Sequence, residues 1–272
     1  MQPIRTHIPP SRRLLALAVA GALALLADCG GSGTTTTKAP TAVASDPNGV
    51  VTAPHTARAA EAVYNPNIDP ANFTTRITNP YFTLASGMVR ITKGTKDGVP
   101  QTHTTVVTSA TKVIAGVRTV VVRDKVTTNG ALSELVTDWY AQDKRGNVWY
   151  FGESTADYEK GVVTTTKGSW LTGVDGAKPG IVMPANPVPG PSFYSEFRPG
   201  VAEDKGQVLR TGIKLTVPYG SYNGVVLIRD TNPLDPQLIS HKWYAKGVGL
   251  LKTVRVGSSH KEHAELVALK GV

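Results

Sequence analysis

"IAGVRTVVVRDKVTTNGALSELVTDWYAQDKRGNVWYFGE", residues 114–153, decides the fold. Two strand-length runs rich in Val and Thr flank Asn129-Gly130, and both residues of that pair tolerate positive φ. Beyond them, Leu132–Gln142 reads as a strand, "DKRGN" as a turn and "VWYFGE" as the returning strand. In that turn Asp143 and Asn147 are types that bond their own backbone, and Gly146 allows left-handed dihedrals. A calcium loop would need more oxygen ligands at short spacing, and Lys144 and Arg145 place two positive charges in the way. The stretch is a hairpin, with Trp139 and Phe151 expected to pair across it.

Similar punctuation at Asp97-Gly98 and Lys160-Gly161 extends the pattern into consecutive hairpins, an antiparallel meander. The pattern then recurs. "YNGVVLIRDTNPLDPQLISHKWYAKGVGLLKTVRV" repeats the Gly-Val, the Val-rich strand ending in Arg-Asp (Arg123-Asp124, Arg229-Asp230) and the Trp-Tyr-Ala at 139–141 and 243–245. Upstream, "TTVVTSATKVIAG" and "GQVLRTGIKLTVPYG" form similar strand pairs. Two copies are too few for a solenoid. The expected fold is mainly β: two similar antiparallel meanders, about 88–166 and 194–270, forming a sandwich or half-barrel.

Between the copies, residues 168–194 hold five Pro and five Gly, which excludes regular strands over most of the segment. Loops of this length in compact domains are usually functional or disordered. Its apolar residues want burial, which argues against disorder, so it either only plugs the end of a β-sandwich or folds over the junction of the halves and lines a groove. Trp170 and Met183 would supply apolar contacts to a ligand groove, and Asp175 and Lys178 its polar rim.

The N-terminal region reads as an address. Arg5, Arg12 and Arg13 precede an apolar run, Leu14–Ala27, of signal-peptide length. "LLADC" follows and resembles a bacterial lipobox, with Leu26, Ala27 and Cys29 in place and Asp28 where a small residue is usual. That resemblance implies a signal over 1–28 and a Cys29 carrying diacylglycerol and palmitate. The alternative is cleavage after Ala24, leaving the chain's single cysteine as a free thiol. Residues 29–56, rich in Gly, Ser, Thr, Ala and Pro, read as a disordered tether. Residues 57–272 read as one β-rich domain, opened by a short helix over "ARAAEAV" (57–63).

The chain has a net charge of +9, or +7 without residues 1–28, which hold three Arg and one Asp. Its basic residues are scattered, so nucleic acid is not the expected partner; anionic envelope polymers or lipid headgroups fit better. Catalytic and cofactor motifs are missing from the sequence. Asp124 and Asp230 read as structural strand-end groups, and His260 and His263, three apart on a strand, point to opposite faces. No cofactor and no metal site is expected.

Five segments together resemble an uncharacterised family of exported bacterial β-rich lipoproteins: "NPYFTLASG" (79–87), "TKDG" (95–98), residues 138–153, "GAKPGIVMPANP" (176–187) and "WYAKGVGLLK" (243–252). The closing meander is also similar to envelope families with half-barrel folds related to lipoprotein carriers. The resemblance implies a β-fold and an envelope location, and carries no activity or catalytic residues.

The sequence therefore leans to a noncatalytic envelope lipoprotein, membrane-anchored at Cys29, that binds an apolar ligand or an envelope partner or plays a structural role. The alternative is an envelope hydrolase with an unrecognised site on Asp124, Asp230 or the histidines. Two outcomes check the anchor. Globomycin should make the precursor accumulate, and Cys29→Ala should release the protein from the membrane. Mass spectrometry of the mature N-terminus decides; cleavage after Ala24 with a free thiol is the contrary result.

Overall fold

Five tight turns among the described residues carry two successive residues at positive φ: Asp97-Gly98, Asn129-Gly130, Lys160-Gly161, Ala115-Gly116 and Asp175-Gly176. That backbone matches the right-handed twist of paired strands. The first three are the turns their dipeptides predict. Ala115 adopts φ 48° although its type carries no turn signal.

The computed structural model describes residues 64–257 and 259–271. Cys29, the tether and the helix expected over 57–63 lie outside the described residues. After a 3-10 turn at Pro70–Asn72 come β1 (Phe73–Thr74), β2 (Val89–Lys96), β3 (Val99–Ile114), β4 (Val117–Thr128), β5 (Ala131–Asp143) and β6 (Val148–Glu159). Short strands β7 (Val162–Thr165), β8 (Trp170–Leu171), β9 (Lys178–Met183), β10 (Phe193–Tyr194) and β11 (Glu196–Phe197) follow. The chain then forms β12 (Lys205–Val217), β13 (Gly220–Asn232), β14 (Asp235–Ala245), β15 (Gly249–Arg255) and β16 (Glu262–Lys270).

All pair in one antiparallel sheet, in the order β10-β12-β13-β14-β15-β16-β2-β3-β4-β5-β6-β9-β11. Its two ends are consecutive in the chain. Phe193 and Tyr194 pair with β12, whereas Glu196 and Phe197 pair with β9. The sheet thus curls into a nearly closed barrel, bridged at Ser195. Gly180 of β9 permits the close approach, since a Cβ there would lie 2.3 Å from the Ser195 carbonyl carbon. The Pro- and Gly-rich segment 168–194 is therefore part of the wall, and β9 is a six-residue strand within it.

The two meanders pair their equivalent strands in the same register. Val121 faces Trp139 and Asp124 faces Val136; in the second copy Leu227 faces Trp243 and Asp230 faces Ser240. A bulge falls between Trp139 and Tyr140 against β6, and another between Trp243 and Tyr244 against β15. The bulge therefore recurs at the same dipeptide in both copies. Trp139 lies opposite Gly152 rather than Phe151, and both aromatic rings join one cluster with Val121 and Phe73. Gly152 sits at φ 143°, and a Cβ there would come within 2.5 Å of the Trp170 carbonyl oxygen.

Residues 77–84 enter the barrel and fill part of it. Ile77 and Phe82 pack against two clusters, Val208, Val226, Ile228 and Met183 from one side and Leu84, Val107, Val120 and Val122 from the other. Polar contacts lock the insertion. Gln142 Oε1 accepts from the backbone N–H groups of Thr78 and Asn79, each at 2.8 Å, and Asn79 donates to the carbonyls of Gly146 and Pro184.

The turn at 143–147 is organised by one carboxylate. Asp143 accepts from the backbone N–H of Arg145 and Asn147, the Asn147 amide and the Trp149 indole, at 2.8–2.9 Å. Partial burial works against its charge, but these donors outweigh that and hold its pKa below the ordinary value. Asp143→Ala should lower stability by about 2–3 kcal/mol, read from chemical denaturation, with the sheet signal in circular dichroism retained.

Candidate functional site

Inside the barrel, chemistry changes along each strand. On β4 the inward residues run Val120, Val122, then Asp124; on β13 they run Val226, Ile228, then Asp230. On β5 the inward set is Tyr140, Asp138, Val136 and Glu134, and the matching residues of β14 are Tyr244, Lys242 and Ser240. Apolar side chains and the inserted segment fill one half of the interior. The other half holds a cavity of about 210 Å³, partly open to solvent.

Seven carboxyl groups line this cavity: Asp124, Glu134, Asp138, Glu153, Glu196, Asp230 and Glu262. Phe82, Leu84 and Leu250 supply apolar surface, and Arg90, His103 and Lys242 are its basic members. Two acids form ion pairs, Asp230 with Lys242 at 2.5 Å and Glu262 with Arg255 at 3.5 Å, and Arg90 attracts Asp124, which also accepts from the Thr105 hydroxyl. More weakly, Lys96 attracts Glu134 and Lys242 attracts Glu196. Burial opposes the Lys242 charge, but attraction to Asp230 outweighs it and raises that pKa.

Glu134, Asp138, Glu153 and Glu196 take their hydrogen bonds from neutral donors. The Tyr150 hydroxyl lies against Asp138 and 3.1 Å from Glu153, two acids facing each other across β5 and β6. One hydroxyl has one proton to donate. With both acids ionised, one oxygen would meet the tyrosine's lone pairs in a site of low polarity, so the pair retains a proton between its members. Trp170 donates its indole N–H to Glu196 at 3.0 Å, and Thr155 donates its hydroxyl to Glu134 at 3.1 Å.

Burial raises the pKa of all four. Asp124's charge adds to the effect at Asp138, and Asp138's adds to it at Glu153; Glu153 and Asp204 do the same for Glu196. Glu134 is pushed up to about 8 by burial and then by Asp157. His103, whose Nε2 lies 2.9 Å from Gln101 Oε1, is pushed down to about 4 by burial and then by Lys96. Glu134 Oε2, Glu153 Oε1 and Ser195 Oγ are buried against the cavity without a hydrogen-bond partner.

The four groove residues expected from the sequence are not brought together. Trp170 is buried behind the acids, edge-on to Tyr150, and positions Glu196. Met183 packs with Val148, Val226 and Ile228 in the apolar half. Asp175 is exposed and pairs with Arg198 at 2.7 Å, and Lys178 faces Phe197 across the sheet. Val182 and Phe193 are the members of segment 168–194 beside Trp170's neighbourhood that do line the cavity. Asp124 and Asp230, read as strand-end groups, lie within β4 and β13 and point inward, away from the exposed Arg123. His260 contacts Asp97 at 2.9 Å, and His263 contacts Thr95 at 3.2 Å. Strand parity carries the signal for the acids: Glu134, Asp138 and Tyr140 share one face of β5, where Glu134 and Asp138 are buried while Leu135 on the other face is exposed.

The raised carboxyls stabilise the fold in their protonated form. For Glu134 that contribution is complete below its ordinary value of 4.5 and is lost as pH rises through about 8. His103 acts oppositely: its contribution is present above its ordinary 6.5 and is lost as pH falls through about 4. Several raised acids outnumber the one histidine, so thermal stability should fall as pH rises from about 4.5 toward 8, with His103 offsetting part of the fall below 6.5, and Glu134→Gln should make the fall shallower. Melting temperature against pH, by calorimetry, checks both.

No family model matches this chain, and no curated protein matches it. Among solved structures it is similar to a "putative lipoprotein" from Parabacteroides distasonis, at a TM-score of 0.38 and 14% identity over 70% of this chain and 98% of that one. It is also similar to a "putative exported protein with YmcC-like fold" from Bacteroides fragilis, at a TM-score of 0.42 and 15% identity over 70% of this chain and 99% of that one.

Proposed function

We propose that this chain is a noncatalytic binding protein, exported, lipid-anchored at Cys29, with its ligand held inside the barrel. One observation carries the reading. A cavity of about 210 Å³ within the barrel presents buried, unpartnered polar atoms of Glu134, Glu153 and Ser195. Buried polar atoms are almost always paired, so such a set calls for a ligand or ordered water. The apolar surface of Phe82, Leu84 and Leu250 would take the body of that ligand. The signal run, lipobox-like "LLADC" and tether support the envelope address.

A second reading, hydrolysis, has one observation in its favour: Asp124 and Asp230 both reach the cavity wall. Each already has its own partner, Thr105 and Lys242 respectively, which fits a positioned or structural charge.

The test is native mass spectrometry of the protein extracted from its own membrane. A small molecule should be retained, released on unfolding, and lost in Ala264→Leu, which fills the cavity from β16. Overpacking of this kind costs about 1–3 kcal/mol, so a thermal melt should show the variant still folded. A bare mass with an intact fold counts against binding. Turnover of a retained ester or glycoside, abolished by Asp124→Asn or Asp230→Asn, would favour hydrolysis instead.

A further inference from the structure

The cavity inverts the charge of the chain that builds it. The chain carries 29 Lys and Arg against 20 Asp and Glu, yet seven of those acids line this one cavity, where Arg90 and Lys242 are the lysine and arginine members. His103, pushed down to about 4, is neutral there at ordinary pH. Asp230 and Glu262 form ion pairs and Arg90 attracts Asp124, whereas Glu134, Asp138, Glu153 and Glu196 form no ion pair among the described residues, Lys96 and Lys242 only attracting Glu134 and Glu196.

Of the five cavity-lining residues with an unpartnered buried polar atom, Glu134 and Glu153 belong to that second group and Ser195 adjoins it, the other two being Arg90 and Glu262. Ser195, 8% exposed with its Oγ unpaired, packs on Gly180; Gly180 pairs with Tyr150, whose hydroxyl touches Glu153. Glu153, 2% exposed, leaves Oε1 unpaired. Tyr140 stacks on Tyr150 with ring centroids 4.7 Å apart, and Phe193 adds another aromatic ring to the wall. Acceptor oxygens beside aromatic rings suit an ammonium group, which has donors only and is attracted to ring faces.

We propose that the cavity binds a small organic cation, an amine whose ammonium is received by Glu153 and Ser195 and whose apolar body lies toward Phe82, Leu84 and Leu250. This rests on the binding reading above and gives it a ligand class. Glu153 faces Asp138 and Glu134 from β5, Tyr150 on its own strand and Glu196 from β11, with Asp204 beyond Glu196 and Lys242 approaching that acid from β14. Empty, this group stays protonated because burial and mutual repulsion disfavour its charge. An arriving ammonium reverses the balance: Glu153 loses its proton to solvent, and a paired carboxylate and ammonium remain. Binding therefore releases a proton and strengthens as pH rises.

The experiment is isothermal titration of the full chain, purified in detergent, with butylammonium chloride and, in parallel, with neutral 1,4-butanediol. Each titration is run in two buffers of different ionisation enthalpy. Butylammonium should bind with release of about one proton, and its affinity should rise about tenfold per pH unit between about pH 6 and 8. Glu153→Gln keeps the shape of the protonated acid, so it should retain the wild-type melting temperature at pH 6 while losing the proton release and at least about tenfold in affinity. Should that variant fail to fold, proton release by the wild-type chain decides alone. Equal binding of butanediol without proton release overturns the cation and leaves a binding protein for neutral ligands. Failure of butylammonium to bind at any pH also overturns it, and the binding reading then stands or falls on the retained mass.

Discussion

A sheet with an unpaired edge exposes a row of backbone donors and acceptors, and this sheet closes its edge with five residues. Phe193 to Phe197 pair with β12 on one side and β9 on the other, switching partners at Ser195. Closure depends on a glycine, because any side chain at Gly180 would collide with the Ser195 backbone. Once the sheet closes, every strand has an interior face that must be filled, by protein, water or ligand. The division of that interior follows.

Half is filled in the ordinary way. The inserted segment around Phe82 and the Val-rich starts of β4 and β13 meet there, and the outer face of the first meander is covered separately by Phe73, Trp149 and Leu171. The other half gathers carboxyl groups. Concentrating them is tolerable because they share protons and hydroxyl or indole donors: Tyr150 between Asp138 and Glu153, Thr155 on Glu134, Trp170 on Glu196. An ionised cluster of this kind would be driven apart by repulsion in a medium of low polarity. Protonation is the condition on which the cluster exists, and it ties stability and pH to one group of residues.

The repeat also diverges where chemistry matters. Asp138 and Lys242 occupy the same place before Trp-Tyr-Ala, and they face a cavity from opposite sides of its charge. In the second copy Lys242 neutralises Asp230, while in the first Asp138 leans on Tyr150 and Glu153. Symmetry supplied the frame, and substitutions at equivalent inward positions made one side of the cavity salt-bridged and the other proton-sharing.

What the sequence by itself determined is local. Asn129-Gly130, Asp97-Gly98 and Lys160-Gly161 specify hairpins because positive φ is a property of single residues. The repeated Arg-Asp and Trp-Tyr-Ala place two equivalent meanders, and Asp143 organises its turn through neighbours within six residues. The site was decided only by tertiary structure. Alternation along β5 separates Glu134, Asp138 and Tyr140 from Leu135 and Trp139, but it does not say which set turns inward. Hydropathy favours burying Leu135 and Trp139 and exposing the acids. The structure does otherwise for the acids, because closure gives the sheet an inside while Phe73 and its neighbours cover Trp139 on the outside. A face buried by a distant segment leaves no period-two signature in its own strand, so the acids became a site only when the barrel closed around them.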